Sequence, residues 1–305
     1  MPRSYRYLLL DVFTDHLFGG NQLAVFLDGR GLTTETMQAV AREMNFSETT
    51  FILPAERSDT DVRMRIFTPG SEMPIAGHPT IGSTFALART GVIAPASERF
   101  VFGLGVGPVP VALTWRHSEL SFAWMTQPQP TFFDPIPDRA GAAAALGLPE
   151  AAVTGTNLPV QVVSCGVQFV FVPVRTRHEV DSATLNAPAY AALMAGAPAG
   201  SNGVFFFSPE RGADGATVYS RMFAPDIGVA EDPATGIASG PLGCYLVRHQ
   251  VVTSDRAGAM VSLQGAKMGR PSHIHIAIGV EGGEIRSVKV GGEAVVAGEG
   301  TLYIP

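Results

Sequence analysis

Two stretches, MPIAGHPTIGST (residues 73–84) and AEDPATGIASG (residues 230–240), decide the fold that this sequence predicts. Each leads through glycine and proline into an apolar segment, and the proline after His78 or Asp232 suits the first position of a helix. Both predicted helices are apolar on nearly every side, which is typical of a helix that is buried all round. Since strand-like segments dominate the rest of the chain, we expect each helix to run inside a curled sheet.

The same pattern precedes both corners, which indicates an internal duplication. An RxFxP segment begins at Arg65 and again at Arg221, 156 residues later, whereas the His-Pro and Asp-Pro pairs are 154 residues apart. The connection from the RxFxP segment to the following helix is therefore expected to be two residues shorter in the second half than in the first. The predicted fold class is α+β, with two similar domains, each a barrel-like, mostly antiparallel sheet around a central helix.

The two domains are expected at residues 1–124 and 125–305, because the most proline-rich stretch, MTQPQPTFFDPIPDRA, begins there. The last strands are expected to cross back to the first. Most of the chain is rich in Val, Ile, Phe and Leu between turn residues, which indicates strands. Helices are expected at residues 33–45, 79–90, 138–147 and 186–196 and in a segment after Pro233.

The composition bounds the class of protein. Hydrophobic residues make up 46% and charged residues 16% of the 305 residues, which indicates an extensive buried core. A net charge of −6 without any basic run argues against a nucleic-acid-binding surface. The N-terminal apolar run is interrupted by Asp11, and no window reaches the ~18–20 apolar residues of a membrane span. We therefore expect a cytoplasmic protein without nucleic-acid or membrane partners.

Cysteine and histidine offer weaker candidate sites. Cys165 and Cys244 do not form a disulfide framework, and both lie in apolar surroundings, so we expect them to be structural. His273 and His275 would lie on one face of a strand and could supply two metal ligands. Because no third ligand stands at a recognisable spacing, no metal site is predicted.

The two corners are the strongest candidates for a binding site. The first N–H groups of a helix lack intrahelical partners and attract anions, so two facing helix starts could hold one small carboxylate. Asp232 taken alone is explained better as a helix N-cap, but His78 is not a preferred capping residue, and the pairing of the two sites favours binding. Glu48 stands between a helix and a strand beside Phe46 and Phe51, where burial would raise its pKa toward that of a general acid/base.

Together these segments resemble the PhzF-like phenazine-biosynthesis family, within the diaminopimelate epimerase-like superfamily. The resemblance covers nearly the whole chain, and the motifs SET, AGHPTIG and EDPATG in this order are specific. It is carried by DVFTDHLFGGNQLAVF, AREMNFSETTFIL, RIFTPGSEMPIAGHPTIGSTFAL, MFAPDIGVAEDPATGIASGPLGCYL, QGAKMGRPSHIHI and VKVGGEAVVAGEG. The resemblance implies a cofactor-free isomerase, commonly a homodimer, with its active site between the two halves.

The resemblance also implies which residues form the site. Glu48 of the SET motif would transfer the proton, and His78 and Asp232 would flank the substrate as the other catalytic residues. Backbone N–H groups around Gly77–His78 and Gly236–Ile237 would hold the substrate carboxylate. The substrate-binding positions are Asn21, Ser47, Gly77, Gly236 and Ile237. Ile237 stands where the family often has Ser or Asn, which leaves the substrate open.

The predicted function is a cofactor-independent isomerase that moves a proton on a small cyclic or unsaturated (amino) carboxylic acid, as in trans-2,3-dihydro-3-hydroxyanthranilate isomerisation. Two alternatives stay open: an epimerase or isomerase of another amino or hydroxy acid, and a catalytically silent protein that binds small carboxylates. Related racemases place a cysteine at each helix start, where this chain has His78 and Asp232. A two-thiol mechanism is therefore not expected.

Overall fold

A computed structural model describes residues 3–304 of the chain. Within these residues lie seventeen strands and seven α-helices. The strands are β1 (Arg3–Val12), β2 (Asn21–Phe26), β3 (Glu48–Pro54), β4 (Val62–Phe67), β5 (Glu72–Met73), β6 (Arg99–Leu104), β7 (Gly107–Arg116), β8 (Glu119–Gln127), β9 (Thr131–Ile136), β10 (Val160–Ser164), β11 (Gln168–Pro173), β12 (Ser201–Ser208), β13 (Val218–Phe223), β14 (Met260–Gln264), β15 (Ser272–Glu281), β16 (Glu284–Gly292) and β17 (Ala294–Ile304). The helices are α1 (Thr34–Met44), α2 (Gly77–Arg89), α3 (Arg139–Ala145), α4 (Glu150–Thr154), α5 (Arg177–Ser182), α6 (Ala187–Gly196) and α7 (Gly236–Arg248).

The strands form one continuous sheet whose two halves repeat the same order. The first half runs β17-β1-β2-β3-β4-β6-β7-β8, with the short β5 beside β4, and the second runs β9-β10-β11-β12-β13-β14-β15-β16. Parallel pairs occur at matching places, β2 with β3 and β4 with β6, then β11 with β12 and β13 with β14. The matching order confirms the predicted duplication and the mostly antiparallel α+β class.

Each half curls around one buried helix, as predicted. In the first half α2 packs against β1, β2, β8 and β17, and in the second half α7 packs against β10, β11, β15 and β16. Both helices are buried continuously over their first eleven residues, 77–87 and 236–246. A helix without a polar face satisfies its backbone internally and loses nothing by such burial.

The helix starts differ from the prediction. α2 begins at Gly77 and α7 begins at Gly236, so the expectation that Pro79 and Pro233 are the first helical residues was wrong. Gly77 follows Arg65 by 12 residues, whereas Gly236 follows Arg221 by 15. The second connection is therefore three residues longer than the first, and the expected shortening by two residues was wrong as well.

Contacts from a distant strand explain the longer connection. The side chain of Gln264, at the end of β14, donates to the backbone carbonyl of Asp232 over 2.7 Å and accepts from the backbone N–H of Thr235 over 2.9 Å. These bonds hold residues 232–235 in a turn that precedes the helix. The local Asp-Pro pattern carries no information about this partner, since Gln264 is 32 residues away in sequence.

The remaining predictions concern segment ends and short helices. The expected helices at 33–45, 138–147 and 186–196 correspond to α1, α3 and α6, while α4 and α5 were missed, being too short to show a helical period. The predicted boundary after residue 124 falls inside β8, which pairs with β16 and joins the two halves. A division into two domains stays a proposal. No helix among residues 3–304 is long and apolar enough to cross a bilayer.

Candidate active site

The two central helices begin against each other. A Cβ atom added to Gly77 would lie 2.4 Å from the backbone nitrogen of Ile237, and one added to Gly236 would lie 3.1 Å from the Cα atom of Gly77. Real Cβ atoms do not lie 2.4 Å from backbone atoms, so the junction requires glycine at position 77, and a Cβ on Gly236 would in addition lie 2.7 Å from the ring of Phe13. The two positive helix ends therefore converge on one point between the halves.

Neither helix start is capped by a side chain. The residue before α2 is Ala76, and the residue before α7, Thr235, makes no capping hydrogen bond because its hydroxyl donates to Asp232 over 2.7 Å. The first N–H groups of both buried helices are thus left for another partner. An anion is the chemical group that such a pair of helix ends attracts most strongly.

Glu48 and His78 lie side by side next to this junction. Glu48 opens β3, and its Oε2 lies 3.2 Å from Nδ1 of His78, the second residue of α2. The side chain of His78 is only 3% exposed and that of Glu48 is 13% exposed. Burial lowers the pKa of His78 to about 3, so its imidazole is neutral at pH 7.

Asn21 connects the two halves of the site. From the start of β2, its side-chain nitrogen donates to Oδ1 of Asp232 over 2.7 Å and to the carbonyl of Ala234 over 3.0 Å. The same nitrogen lies 3.2 Å from Nδ1 of His78. The side-chain nitrogen of this buried residue is therefore engaged by the protein, and a role of Asn21 in substrate binding stays a prediction.

The two carboxyl groups of the site both bind protons more tightly than usual. Burial is the main cause of the raised pKa of Glu48, and the nearby charge of Asp232 adds to it. Burial also raises the pKa of Asp232 to about 6, although hydrogen bonds from Thr235, Ser47 and Asn21 oppose the change. Glu48 therefore stays protonated to a higher pH than an ordinary glutamate.

This arrangement predicts a stability cost at neutral pH. A carboxyl group whose pKa is raised in the folded state stabilises the fold below its unfolded pKa, near 4.5 for Glu48, and that stability is lost as pH rises through the folded pKa. We expect Glu48→Gln to increase the free energy of unfolding at pH 8 and to have a smaller effect at pH 4. Urea denaturation at both pH values checks this, with exposed Glu43→Gln as the control. An equal effect of Glu48→Gln at pH 4 and pH 8 would contradict the expectation.

A small cavity lies between the halves at this point. Its volume is about 40 Å³, enough for one or a few water molecules. Its lining consists of Ser47, Glu48, Thr68, Met73, Phe169, Asn202, Met222, Ile227, Val229, Asp232, Thr235 and Ile237. A Cβ on Gly70 would lie 3.1 Å from the carbonyl oxygen of Ile227, so a loop from each half meets here.

The structure brings all the predicted site residues together, in two layers. Ser47, Glu48, Asp232 and Ile237 line the cavity. Behind them stand the others, Asn21, Gly77, His78 and Gly236, with the imidazole against Glu48 and the glycines at the helix junction. His78 therefore contacts Glu48 without lining the cavity.

The sequence analysis missed Gln264, which fixes the backbone around Asp232. Besides its two bonds to the 232–235 backbone, its Nε2 donates to the hydroxyl of Thr235 over 2.9 Å. Gln264 is fully buried. A glutamine that ends an apolar strand directly before a glycine is the only signal in the sequence that could have pointed to it.

His273 and His275 lie on β15, away from this cluster, and the ring centroid of His275 is 5.1 Å from that of Phe122. Across the part of the chain that the structure describes, no group of three or more His, Cys, Asp and Glu side chains is arranged to hold a metal ion.

The chain matches a family model described as "Phenazine biosynthesis-like protein" over residues 10–300. It is 38% identical over 309 residues to an "uncharacterized isomerase" of Mesorhizobium japonicum, covering 99% of this chain and 100% of that protein. It is 36% identical over 308 residues to a trans-2,3-dihydro-3-hydroxyanthranilate isomerase of Pseudomonas aeruginosa, covering 98% of this chain and 100% of that protein.

Solved structures show the same fold. A PhzF-family protein of Bacillus anthracis superposes with a TM-score of 0.86 at 26% identity, covering 99% of this chain and 100% of that chain. A hydroxyproline epimerase of Agrobacterium vitis superposes with a TM-score of 0.68, covering 98% of this chain and 91% of that chain, and its 15% identity shows the fold alone. The predicted diaminopimelate epimerase-like architecture is thereby confirmed.

Proposed function

This chain belongs to the PhzC-PhzF family of phenazine biosynthesis-like proteins and is an isomerase, and from that premise we propose that Glu48 moves a proton on a small cyclic or unsaturated carboxylic acid. The observation that carries the proposal is the raised pKa of a buried carboxyl beside two uncapped helix starts. A carboxylate with a raised pKa is a stronger base at the moment it accepts a proton from carbon.

The first step is the binding of the substrate carboxylate at the junction of Gly77 and Gly236. The free N–H groups and the dipoles of both helices favour negative charge there. When a proton leaves the adjacent carbon framework, negative charge spreads toward this carboxylate. The preorganised helix ends then stabilise the charge more in the transition state than in the ground state.

The second step is proton transfer by Glu48. Its carboxylate takes a proton from carbon, and the resulting carboxylic acid returns the proton at a conjugated position, so one group serves both halves of the reaction. Neutral His78 holds the carboxyl group in place at 3.2 Å. Asp232 keeps the pKa of Glu48 high through its negative charge.

The two halves differ at the strand position of Glu48. Arg65 pairs with Phe51 across β4 and β3 as Arg221 pairs with Phe206 across β13 and β12. Counting back three residues along β3 and β12 makes Gly203 the counterpart of Glu48. The second half nevertheless supplies the carboxyl group of Asp232 to the cavity wall, so the epimerase alternative stays open.

Proton exchange in D₂O tests the proposal. NMR should reveal isomerisation or deuterium incorporation when the protein meets trans-2,3-dihydro-3-hydroxyanthranilate, the compound named for several relatives, or a panel of cyclic and unsaturated amino acids. Binding of a panel member without any exchange would instead favour the catalytically silent alternative.

The pH dependence of the reaction tests the role of Asp232. We expect kcat/KM to rise with pH, because the free enzyme needs Glu48 as a base. The midpoint of this acid limb should lie above the ordinary glutamate pKa of 4.5. Asp232→Asn removes a negative charge near Glu48 and should move this limb to lower pH, whatever its effect on the maximal rate. A limb that stays in place in the variant would remove Asp232 from this role.

Two predictions from the sequence remain part of the proposal. A homodimer is supported by the family resemblance of the whole chain. A cytoplasmic location stays a prediction from the sequence.

A further inference from the structure

The polar groups around the cavity are mostly bonded to the protein already. The hydroxyl of Thr235 donates to Asp232 and accepts from Gln264. The hydroxyl of Thr68 donates to the carbonyl of Ser71 and accepts from the backbone N–H of that residue and of Gly70. A substrate substituent would find no free hydrogen-bonding capacity at the Thr68 hydroxyl and only one free acceptor lone pair at the Thr235 hydroxyl.

Asp232 is engaged by the protein, and Asn202 is engaged only in part. The two carboxylate oxygens of Asp232 accept from Asn21 and Thr235, respectively. The side-chain nitrogen of Asn202 donates to the carbonyl of Gly200 over 2.7 Å, while the oxygen of this amide makes no hydrogen bond with the described residues. The polar part of the cavity wall therefore comprises Ser47, Glu48, Asp232 and the Asn202 amide.

Six of the twelve residues that line the cavity have large apolar side chains: Met73, Phe169, Met222, Ile227, Val229 and Ile237. Among the residues that the structure describes, no lysine, arginine or histidine lines the cavity. A second carboxylate on the substrate would therefore have no cationic partner beyond the helix junction.

The two central helices place different side chains at corresponding positions. His78 is the second residue of α2, and Ile237 is the second residue of α7, so they occupy corresponding positions around the junction. The first half places an imidazole there, against Glu48. The second half places a buried branched alkyl group, which lines the cavity directly.

We infer that the substrate is a monocarboxylic acid whose ring or chain is apolar on the side facing Ile237, and that Ile237 selects against a hydroxyl or amino group on that side. The inference rests on the proposed function, because it takes the carboxylate to lie at the helix junction and the reacting carbons to face Glu48. A polar substituent toward Ile237 would lose its water without gaining a partner.

Calorimetric titration of unreactive acids tests the inference without turnover. The ligands are cyclohexanecarboxylate, its 2-, 3- and 4-hydroxy derivatives and cyclohexane-1,3-dicarboxylate. The proteins are the wild type, Ile237→Val and Ile237→Thr. Valine and threonine have nearly the same shape, so the two variants differ at this position by a methyl against a hydroxyl group.

We expect the wild type and Ile237→Val to bind at least one hydroxy isomer about 10- to 100-fold more weakly than the parent acid. Ile237→Thr should reduce that ratio by about tenfold, since its hydroxyl supplies the missing partner. The dicarboxylate should bind more weakly than the parent acid to all three proteins. Thermal unfolding establishes that each variant is folded. If a variant does not fold, the affinities of the wild type for the hydroxy isomers relative to the parent acid test the inference.

Several outcomes would overturn the inference. One is that the wild type binds all three hydroxy isomers as tightly as the parent acid. Another is that the threonine and valine variants show the same ratio of hydroxy-isomer affinity to parent-acid affinity. Failure of every ring acid to bind, with Glu48-dependent turnover of some other compound, would reject this substrate class and leave the proposed function standing. Undiminished turnover by Glu48→Gln, with the expected binding ratios intact, would reject the proposed function alone.

Discussion

Glu48→Gln is expected to lower kcat by about a thousandfold or more, the largest effect on activity among the proposed substitutions. This loss lies within the range that general acid–base groups contribute to rate. The amide has the size of the carboxyl group and can still contact His78, but it cannot take a proton from carbon. The measurement is the rate of isomerisation or of deuterium incorporation in D₂O.

The matched control is Glu43→Gln, the same chemical change at an exposed position of α1. It should leave the rate within about twofold of the wild type, as surface substitutions usually change little. Calorimetric binding of an unreactive carboxylate should be retained by both variants, because the carboxylate is assigned to the helix junction. Most of the wild-type rate surviving in Glu48→Gln would show that another group transfers the proton.

Gly77→Ala is expected to have the largest effect on stability. Its Cβ would lie 2.4 Å from two backbone atoms of the second half, the carbonyl carbon of Gly236 and the nitrogen of Ile237. Backbone cannot rotate away as a flexible side chain does, so the two halves must shift apart. We expect the free energy of unfolding to fall by about 3 kcal/mol or more, at the upper end of overpacking effects.

Thermal unfolding measures this effect, as a fall in Tm of several degrees. Gly196→Ala is the control, because a Cβ at this last residue of α6 would meet nothing within 4 Å. Gly77→Ala should also weaken carboxylate binding, since it separates the two helix starts. A variant as stable as Gly196→Ala, with wild-type affinity for carboxylates, would contradict the described junction.

The pH experiments address a different property of the same site. Glu48 and Asp232 are held in surroundings that favour their neutral forms, at a cost to stability at neutral pH. The same surroundings make Glu48 a better base. If both Glu48→Gln and Asp232→Asn behave as expected, they tie the stability cost to the catalytic property through one physical cause, which is burial.

The class of fold, the duplication and most of the candidate site residues follow from local patterns in the sequence. The apolar corners around His78 and Asp232, the repeated strand before each and the SET segment are local patterns. Periodicity and turn residues carry such information directly, because a helix without a polar face has to be buried wherever the chain places it.

The start of α7, the hydrogen bonds of Asn21 and the lining of the cavity depend on tertiary contacts. Asn21 and Asp232 are 211 residues apart, and Gln264 reaches back 32 residues to the turn before α7. These contacts exist because two halves of the chain pack against each other, and the cavity wall takes side chains from both. A hydrogen bond between distant residues leaves no periodic trace in either segment, so it becomes visible only once the fold has brought its two partners together.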